Sequence, residues 1–112
     1  MKTNTSRLLT LLPWLSVPLV ASAYLALWDR IPERLAVHFG ADGTPSGWMT
    51  RGESLVLDLA LLLFILVVGT LKMRGQPPDE RRAGRALLFV AVGFVTLVFL
   101  GILKYNITGS LF

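Results

Sequence analysis

The chain has 112 residues, of which 54% are hydrophobic and only 16% are charged. Soluble domains contain about 25% charged residues, so this composition predicts one domain, residues 1–112, embedded in a membrane. Cysteine is absent, which excludes disulfides, thiol catalysis and cysteine-based metal sites. The net charge of +4 comes from basic residues at the ends of apolar runs. We interpret it as a topology signal and expect no nucleic-acid binding.

The first predicted transmembrane helix covers residues 8–27, which carry no charge. Twenty residues rise about 30 Å as a helix, enough to cross the hydrocarbon layer of a bilayer. Pro13 and Pro18 predict a kink, because proline removes a backbone donor. Tyr24 and Trp28 come at the far end, where aromatic rings favour the headgroup level of a membrane.

The same segment also has features of a signal peptide. Lys2 and Arg7 provide a basic start, and Ala21-Ser22-Ala23 matches a small-residue cleavage site. The apolar run continues beyond that site, and two prolines interrupt it. A retained helix is therefore the preferred interpretation, and cleavage after Ala23 is the alternative.

Residues 28–54 are predicted to form an ordered loop between the first and second helices. Apolar and other residues alternate over residues 35–39, a period of two that predicts a short extended segment. Turn-forming pairs at residues 42–43 and 46–47 flank a proline. The segment also holds the single histidine of the chain.

The second predicted helix covers residues 55–71. Thr50 and Glu53 precede it at the spacing of a capping box, in which each side chain bonds to an unpaired backbone N–H. Asp58 lies one turn inside this helix. It is either an interfacial carboxylate that pairs with Arg51 or with a neighbouring helix, or a proton or cation site. Its position near the helix end favours the first interpretation.

Residues 72–85 are predicted to be a basic loop, because Gly75 and Pro77-Pro78 break a continuous helix. The loop is either a positive-inside topology signal, which we prefer, or a contact for anionic headgroups or a cytoplasmic partner. The third predicted helix covers residues 86–103. Its Gly93 and Gly101 lie two turns apart and allow the close approach of another helix.

The C-terminal segment contains Asn106-Ile107-Thr108, which matches a glycosylation sequon. A three-residue match is too frequent by chance to carry an argument.

The predicted fold is therefore an all-α membrane protein with three transmembrane helices and an ordered extracytoplasmic loop between the first two. Seven Lys and Arg residues fall on the side of the N-terminus, and four fall on the other side. The positive-inside rule then places the N-terminus in the cytoplasm, and residues 28–54 and the C-terminus outside.

The loop contains several residue types at fixed spacing: Ile31-Pro32, Val37-His38-Phe39, Gly43, Pro45-Ser46-Gly47-Trp48 and Arg51. This pattern resembles a segment of the N-terminal membrane domain of unknown function in the SdpI family of bacterial toxin-immunity proteins. The resemblance spans residues 14–71 and departs from the family pattern at Gly40, where asparagine is frequent, and at Arg51, where lysine is usual.

The resemblance implies a location in the bacterial plasma membrane and resistance to a secreted peptide toxin. In one branch of the family it also implies signalling by holding a repressor at the membrane. Full-length members carry a second set of transmembrane helices, whereas this sequence contains three predicted spans.

The candidate contact residues for a ligand or partner are Pro32, His38, Phe39, Gly43, Gly47, Trp48 and Arg51. His38 has three interpretations: a residue that locks the loop by donating a hydrogen bond to a turn carbonyl, a contact for a partner, or a metal ligand. The first is preferred, because a metal site needs three or four ligands. Trp48 is either an interface anchor, which we prefer, or a binding platform.

We expect no enzymatic activity, because no nucleophile and base are placed together by the sequence. We also expect no cofactor and no metal site. The favoured function is a small integral membrane protein that binds a peptide toxin or a lipid through its outer loop. The alternative is a structural accessory subunit of a larger membrane complex. The expected partners are membrane lipid, a secreted peptide or a partner membrane protein, and a second copy of the chain.

Overall fold

The computed structural model of the protein describes residues 8–109. Helix α1 covers Leu8–Ala26, α2 covers Arg51–Arg74 and α3 covers Pro78–Thr108. Each is long and apolar enough to cross a membrane, consistent with a multi-pass membrane protein. Lys2 and Arg7, which contribute to the predicted topology, lie outside the described residues.

Proline interrupts α1 as the sequence predicts. Residues Leu12–Leu15 tighten into a 3-10 turn that contains Pro13, and regular α-helix begins at Ser16. Pro18 lies in the first turn of that α-helical part. Backbone N–H groups in a first turn have no partner within the helix, so the N–H that proline lacks costs no helical hydrogen bond. The irregularity therefore stays within the first half of the span.

The loop between α1 and α2 contains a β-hairpin, so the expectation of an all-α fold is wrong. Strand β1 covers Arg34–Phe39 and confirms the predicted extended segment, whereas β2, Pro45–Thr50, was not predicted. The strands are antiparallel, with Leu35 opposite Met49 and Ala36 opposite Trp48. Beyond Ala36 the register shifts twice, which marks a bulge around Val37 and His38.

The capping box at the start of α2 is confirmed. The Glu53 backbone N–H donates to Thr50 Oγ1 at 3.1 Å, and the Thr50 backbone N–H donates to Glu53 Oε1 at 3.3 Å. Because the cap follows β2 directly, α2 begins at Arg51 and not at residue 55 as predicted. The hairpin is thus joined to the helix without a linker.

The prediction of a basic loop over residues 72–85 is wrong in extent. The connection comprises only residues 75–77, and α3 begins at Pro78, eight residues before the predicted start. Proline is well suited to the first position of a helix, since no backbone donor is needed there. Asp79 and Glu80 follow in the first turn, where negative charge is favourable.

Helix α3 is longer than a membrane span requires. At 31 residues it is about 46 Å long, whereas the hydrocarbon layer is about 30 Å thick. The basic residues near its start, Arg81, Arg82 and Arg85, therefore lie on a part of the helix that extends past the hydrocarbon layer.

The core lies where the three helices meet beneath the hairpin. Many large apolar side chains point outward instead, such as Phe64 and Leu97, which are 66% and 71% exposed. This pattern fits helices that face lipid. The buried apolar side chains of this core are Val20 and Tyr24 from α1, Leu62, Leu66 and Met73 from α2, Leu88, Val92, Phe99 and Leu103 from α3, and Ile31 and Leu35 from the hairpin segment.

Candidate functional site

A pocket of about 260 Å³ lies beneath the hairpin, between it and helices α2 and α3. The hairpin contributes His38, Gly47 and Trp48, which the sequence singled out as candidates. Asp58, the intramembrane carboxylate, lines the same pocket. The remaining lining residues are Val37, Met49, Ser54, Leu57, Leu61, Phe99 and Ile102. The fold therefore brings the loop motif and the buried carboxylate to one cavity.

Asp58 is 6% exposed and bonds to α1. The Tyr24 hydroxyl donates to Asp58 Oδ2 at 2.6 Å and lies 2.8 Å from Ser54 Oγ. Because tyrosine has one hydroxyl proton, the Ser54 hydroxyl must donate to Tyr24. The result is a directed chain of two hydrogen bonds that ends on the carboxylate.

This arrangement decides between the two partners predicted for Asp58 and corrects the prediction for Tyr24. Asp58 pairs with a neighbouring helix, as one interpretation held, and not with Arg51. Tyr24 is fully buried between the helices and is not in the interfacial aromatic belt. Sequence reasoning missed Ser54, although Ser54 and Asp58 have the four-residue spacing that places two side chains on one helix face.

Arg51 holds the base of the hairpin against the end of α1. Its guanidinium Nη1 donates to the carbonyl oxygens of Trp28 at 2.9 Å and of Ile31 at 3.3 Å. The guanidinium also lies over the Trp28 ring, 4.5 Å from the ring centroid. Pro32 is exposed nearby, ahead of β1. Neither Pro32 nor Arg51 lines the pocket, so these two candidates act at the hairpin base.

His38 packs across Gly47 on the opposite strand. A Cβ atom added at Gly47 would lie 2.9 Å from His38 Cβ and 3.3 Å from its ring, closer than side chains tolerate. Within residues 8–109 the imidazole of His38 makes no side-chain hydrogen bond, so the predicted bond to a turn carbonyl is not formed. The glycine is therefore required by the neighbouring imidazole, and His38 is left at the pocket wall.

Phe39 and Gly43, the remaining candidate contact residues, lie on the hairpin and are not among the residues that line the pocket. Phe39 packs edge-on against Tyr105 of α3, with ring centroids 5.1 Å apart. Gly43 has a φ of +83° in the connecting turn, a conformation that glycine adopts without strain. Beside it, the Thr44 hydroxyl donates to Asp42 at 2.7 Å, which lowers the pKa of the Asp42 carboxyl. Phe39 and Gly43 thus shape and dock the hairpin.

Asn106 of α3 holds β1 against the helices, a role that no local pattern in the sequence predicts. Its Oδ1 accepts from the Ala36 backbone N–H at 2.8 Å, and its Nδ2 donates to the Ala36 carbonyl at 2.9 Å. Nδ2 also donates to the Ile102 carbonyl at 2.8 Å, which orients the amide. Asn106 therefore pairs with Ala36 as a residue of an added strand would.

The pocket combines one acidic group, Asp58, with the aromatic side chains of Trp48 and Phe99. In the stretch from residue 8 to residue 109, no three His, Asp or Glu side chains are grouped so as to hold a metal ion. Asp42 is close to His38 in sequence, but its carboxylate bonds to Thr44 at the turn and does not line the pocket.

Comparison with protein families identifies the family of this chain. Residues 9–64 match the family described as Domain of unknown function (DUF1648), which spans α1, the hairpin and the first part of α2. The match includes Tyr24, Ser54 and Asp58 and the hairpin side of the pocket, whereas Phe99, Ile102 and Asn106 lie beyond it. No curated protein and no solved structure matches the chain. Since the match covers half of its length, this chain belongs to the DUF1648 family.

Proposed function

We propose that this protein is a membrane-embedded binding protein that receives a secreted peptide at the hairpin pocket, as an SdpI-like immunity protein or receptor. The observation that carries the proposal is the convergence of His38, Gly47 and Trp48 with Asp58 on one cavity. Trp48 is 53% exposed although it lines the cavity, which leaves its ring available to a ligand. A hairpin that served only to connect two helices would not need this arrangement.

The edge of the hairpin favours a peptide over a lipid. Asn106 bonds to both backbone groups of Ala36, so these groups point away from β2. Ala36 and Trp48 are therefore a non-hydrogen-bonded pair, and the N–H and C=O of Trp48 point outward along β2. The sheet has only two strands, so β2 is an edge. An extended peptide can add to such an edge while its side chains enter the neighbouring pocket.

We place the hairpin outside the cell and the connection between α2 and α3 in the cytoplasm. The support for this orientation is the distribution of Lys and Arg. The side that holds the N-terminus and the connection between α2 and α3 has seven, and the side that holds the hairpin and the C-terminus has four. The basic residues near the start of α3, Arg81, Arg82 and Arg85, then face the cytoplasmic leaflet. A secreted peptide would meet the pocket without crossing the membrane.

The test is a protection assay in sensitive bacteria that express the chain and are exposed to the secreted peptide fraction of a toxin-producing strain. Trp48→Ala is expected to abolish protection while leaving the amount of protein in the membrane unchanged, because the ring contributes to the pocket and not to the core. Phe94→Ala is the matched control, since that ring is 68% exposed on α3 and is remote from the pocket lining. Full protection by the Trp48 variant would contradict the proposal.

A groove between α1 and α3 favours the second candidate function, an accessory subunit of a larger membrane complex. The groove has a volume of about 690 Å³ and is lined by Ser16, Gly93 and Thr96 among apolar residues. The hydroxyls of Ser16 and Thr96 are buried and lack a hydrogen-bond partner within the described part of the chain. A partner helix that packs into a groove with small and hydroxyl-bearing residues is a common membrane contact.

Gly93→Leu tests this second function. Gly93 lines the groove, and no atom lies within 4 Å of a Cβ added there, so the backbone position accepts a side chain that projects into the groove. If the chain is an accessory subunit, the variant should lose a membrane protein that co-purifies with the wild type in fixed ratio. Co-purification that is unchanged in the variant would remove the groove as the interface. Gly52→Leu, which also has free space, is the control.

A further inference from the structure

Asp58 is a buried carboxylate without a counter-charge in the described structure. It is 6% exposed, and no Lys, Arg or His side chain within residues 8–109 forms an ion pair with it. Arg51 is the basic residue closest to Asp58 in sequence. Its guanidinium instead donates to the carbonyl oxygens of Trp28 and Ile31 and lies over the Trp28 ring at the hairpin base. A buried charge is costly unless it is paired, and an ionisable group within a membrane span usually marks a site.

The hydrogen bonds to Asp58 leave one of its oxygens available. Tyr24 donates to Oδ2, and Ser54 supports Tyr24 from behind. The Tyr24 bond favours the negatively charged carboxylate because it presents a donor to Oδ2, and the bond from Ser54 polarises the Tyr24 hydroxyl that makes it. Among the described residues none donates to Oδ1, and Asp58 lines the pocket. Asp58 therefore lines the pocket with one oxygen bonded to Tyr24 and the other without a donor from the described residues.

The walls of the pocket restrict the kind of cation that fits. Trp48 and Phe99 supply aromatic surface, and Leu61 supplies aliphatic surface. A metal ion prefers several oxygen ligands, which the described residues do not gather here. An organic ammonium group needs one carboxylate, offers its own N–H donors and carries an apolar stem that suits these walls. Aromatic faces also attract such cations.

We propose that Asp58 binds a primary ammonium group of the peptide ligand, and that the Trp48 ring packs against the carbon chain that carries this group. This inference rests on the proposed function and adds the chemical class of the group that enters the pocket: a peptide amino terminus or a lysine side chain. Phosphatidylethanolamine carries the same group, so the experiment includes an arm that separates the two sources.

The test uses the full chain labelled with 5-fluorotryptophan in nanodiscs of phosphatidylcholine and phosphatidylglycerol. The probe is n-butylammonium, and n-butanol is its uncharged counterpart. The fluorine resonance of Trp48, assigned through Trp48→Phe, is expected to shift saturably with n-butylammonium. Asp58→Asn should weaken this binding about tenfold or more, because it removes a charge-assisted hydrogen bond. Asparagine still accepts from Tyr24, so the helix packing is kept.

Asp42→Asn is the matched control, since it makes the same chemical change at an exposed turn, and it should leave the titration unchanged. Equal binding of n-butanol and n-butylammonium would overturn the ammonium inference while leaving a functioning pocket. An unchanged affinity in Asp58→Asn, or no shift in the wild type, would also overturn it, and the protection assay judges the proposed function separately. If phosphatidylethanolamine nanodiscs compete with the probe through Asp58, the group belongs to lipid and the peptide assignment is wrong.

Discussion

Replacement of Asn106 by leucine is expected to release the hairpin from the helices. The variant removes both bonds between the amide and Ala36, whose side chain and backbone lie at a site only 1% exposed. Each bond contributes about 1 kcal/mol, so the loss of both costs about 2 kcal/mol, and more where a backbone group of Ala36 stays buried and unpaired. We expect a loss of about 2–3 kcal/mol in the free energy of hairpin opening.

Hydrogen exchange of the hairpin amides measures this opening directly. A loss of about 2 kcal/mol makes exchange about 30-fold faster. The amides at the centre of α2 should keep their protection, because their bonds are internal to that helix.

The control for Asn106→Leu is Tyr105→Phe, at the adjacent position. It keeps the aromatic ring that packs edge-on against Phe39 and removes only the hydroxyl. Exchange in the hairpin should remain as in the wild type. If the hairpin amides of Asn106→Leu also exchanged at the wild-type rate, Asn106 would not hold the hairpin. The position of the hairpin over the pocket would then depend on apolar packing alone.

Tyr24→Phe is expected to give the second large effect, a loss of global stability. The substitution keeps the buried ring but removes the hydroxyl that links Ser54 to Asp58. A hydrogen bond to a charged group contributes about 1.5–3 kcal/mol, and the carboxylate then loses its donor inside the helix bundle. We expect unfolding in mixed detergent micelles to become easier by about 2–3 kcal/mol.

A double-mutant cycle with Asp58→Leu distinguishes the hydrogen bond from simple packing. With no carboxylate to satisfy, Tyr24→Phe should cost much less in the Asp58→Leu background than in the wild type. Equal costs in both backgrounds would mean that the Tyr24 hydroxyl does not act through Asp58. The carboxylate would then have to be stabilised by another group.

The sequence alone determined the features that depend on neighbouring residues. Long charge-free runs predicted three spans, since a chain in lipid must satisfy its backbone internally. The spacing of Thr50 and Glu53 predicted the capping box, and alternation over residues 35–39 predicted β1. Local rules also misplace boundaries: the Pro77-Pro78 pair predicts a loop, although proline also begins helices, as Pro78 does here.

The tertiary structure decided the features that join distant segments. Tyr24 reaches Asp58 across 34 positions of the chain, and Asn106 reaches Ala36 across 70. No local pattern marks such pairs, because they depend on how three helices pack and where the hairpin lies on them. For the same reason the sequence identified His38, Trp48 and Asp58 as separate candidates. Only the packing of the hairpin over α2 and α3 placed them around one cavity.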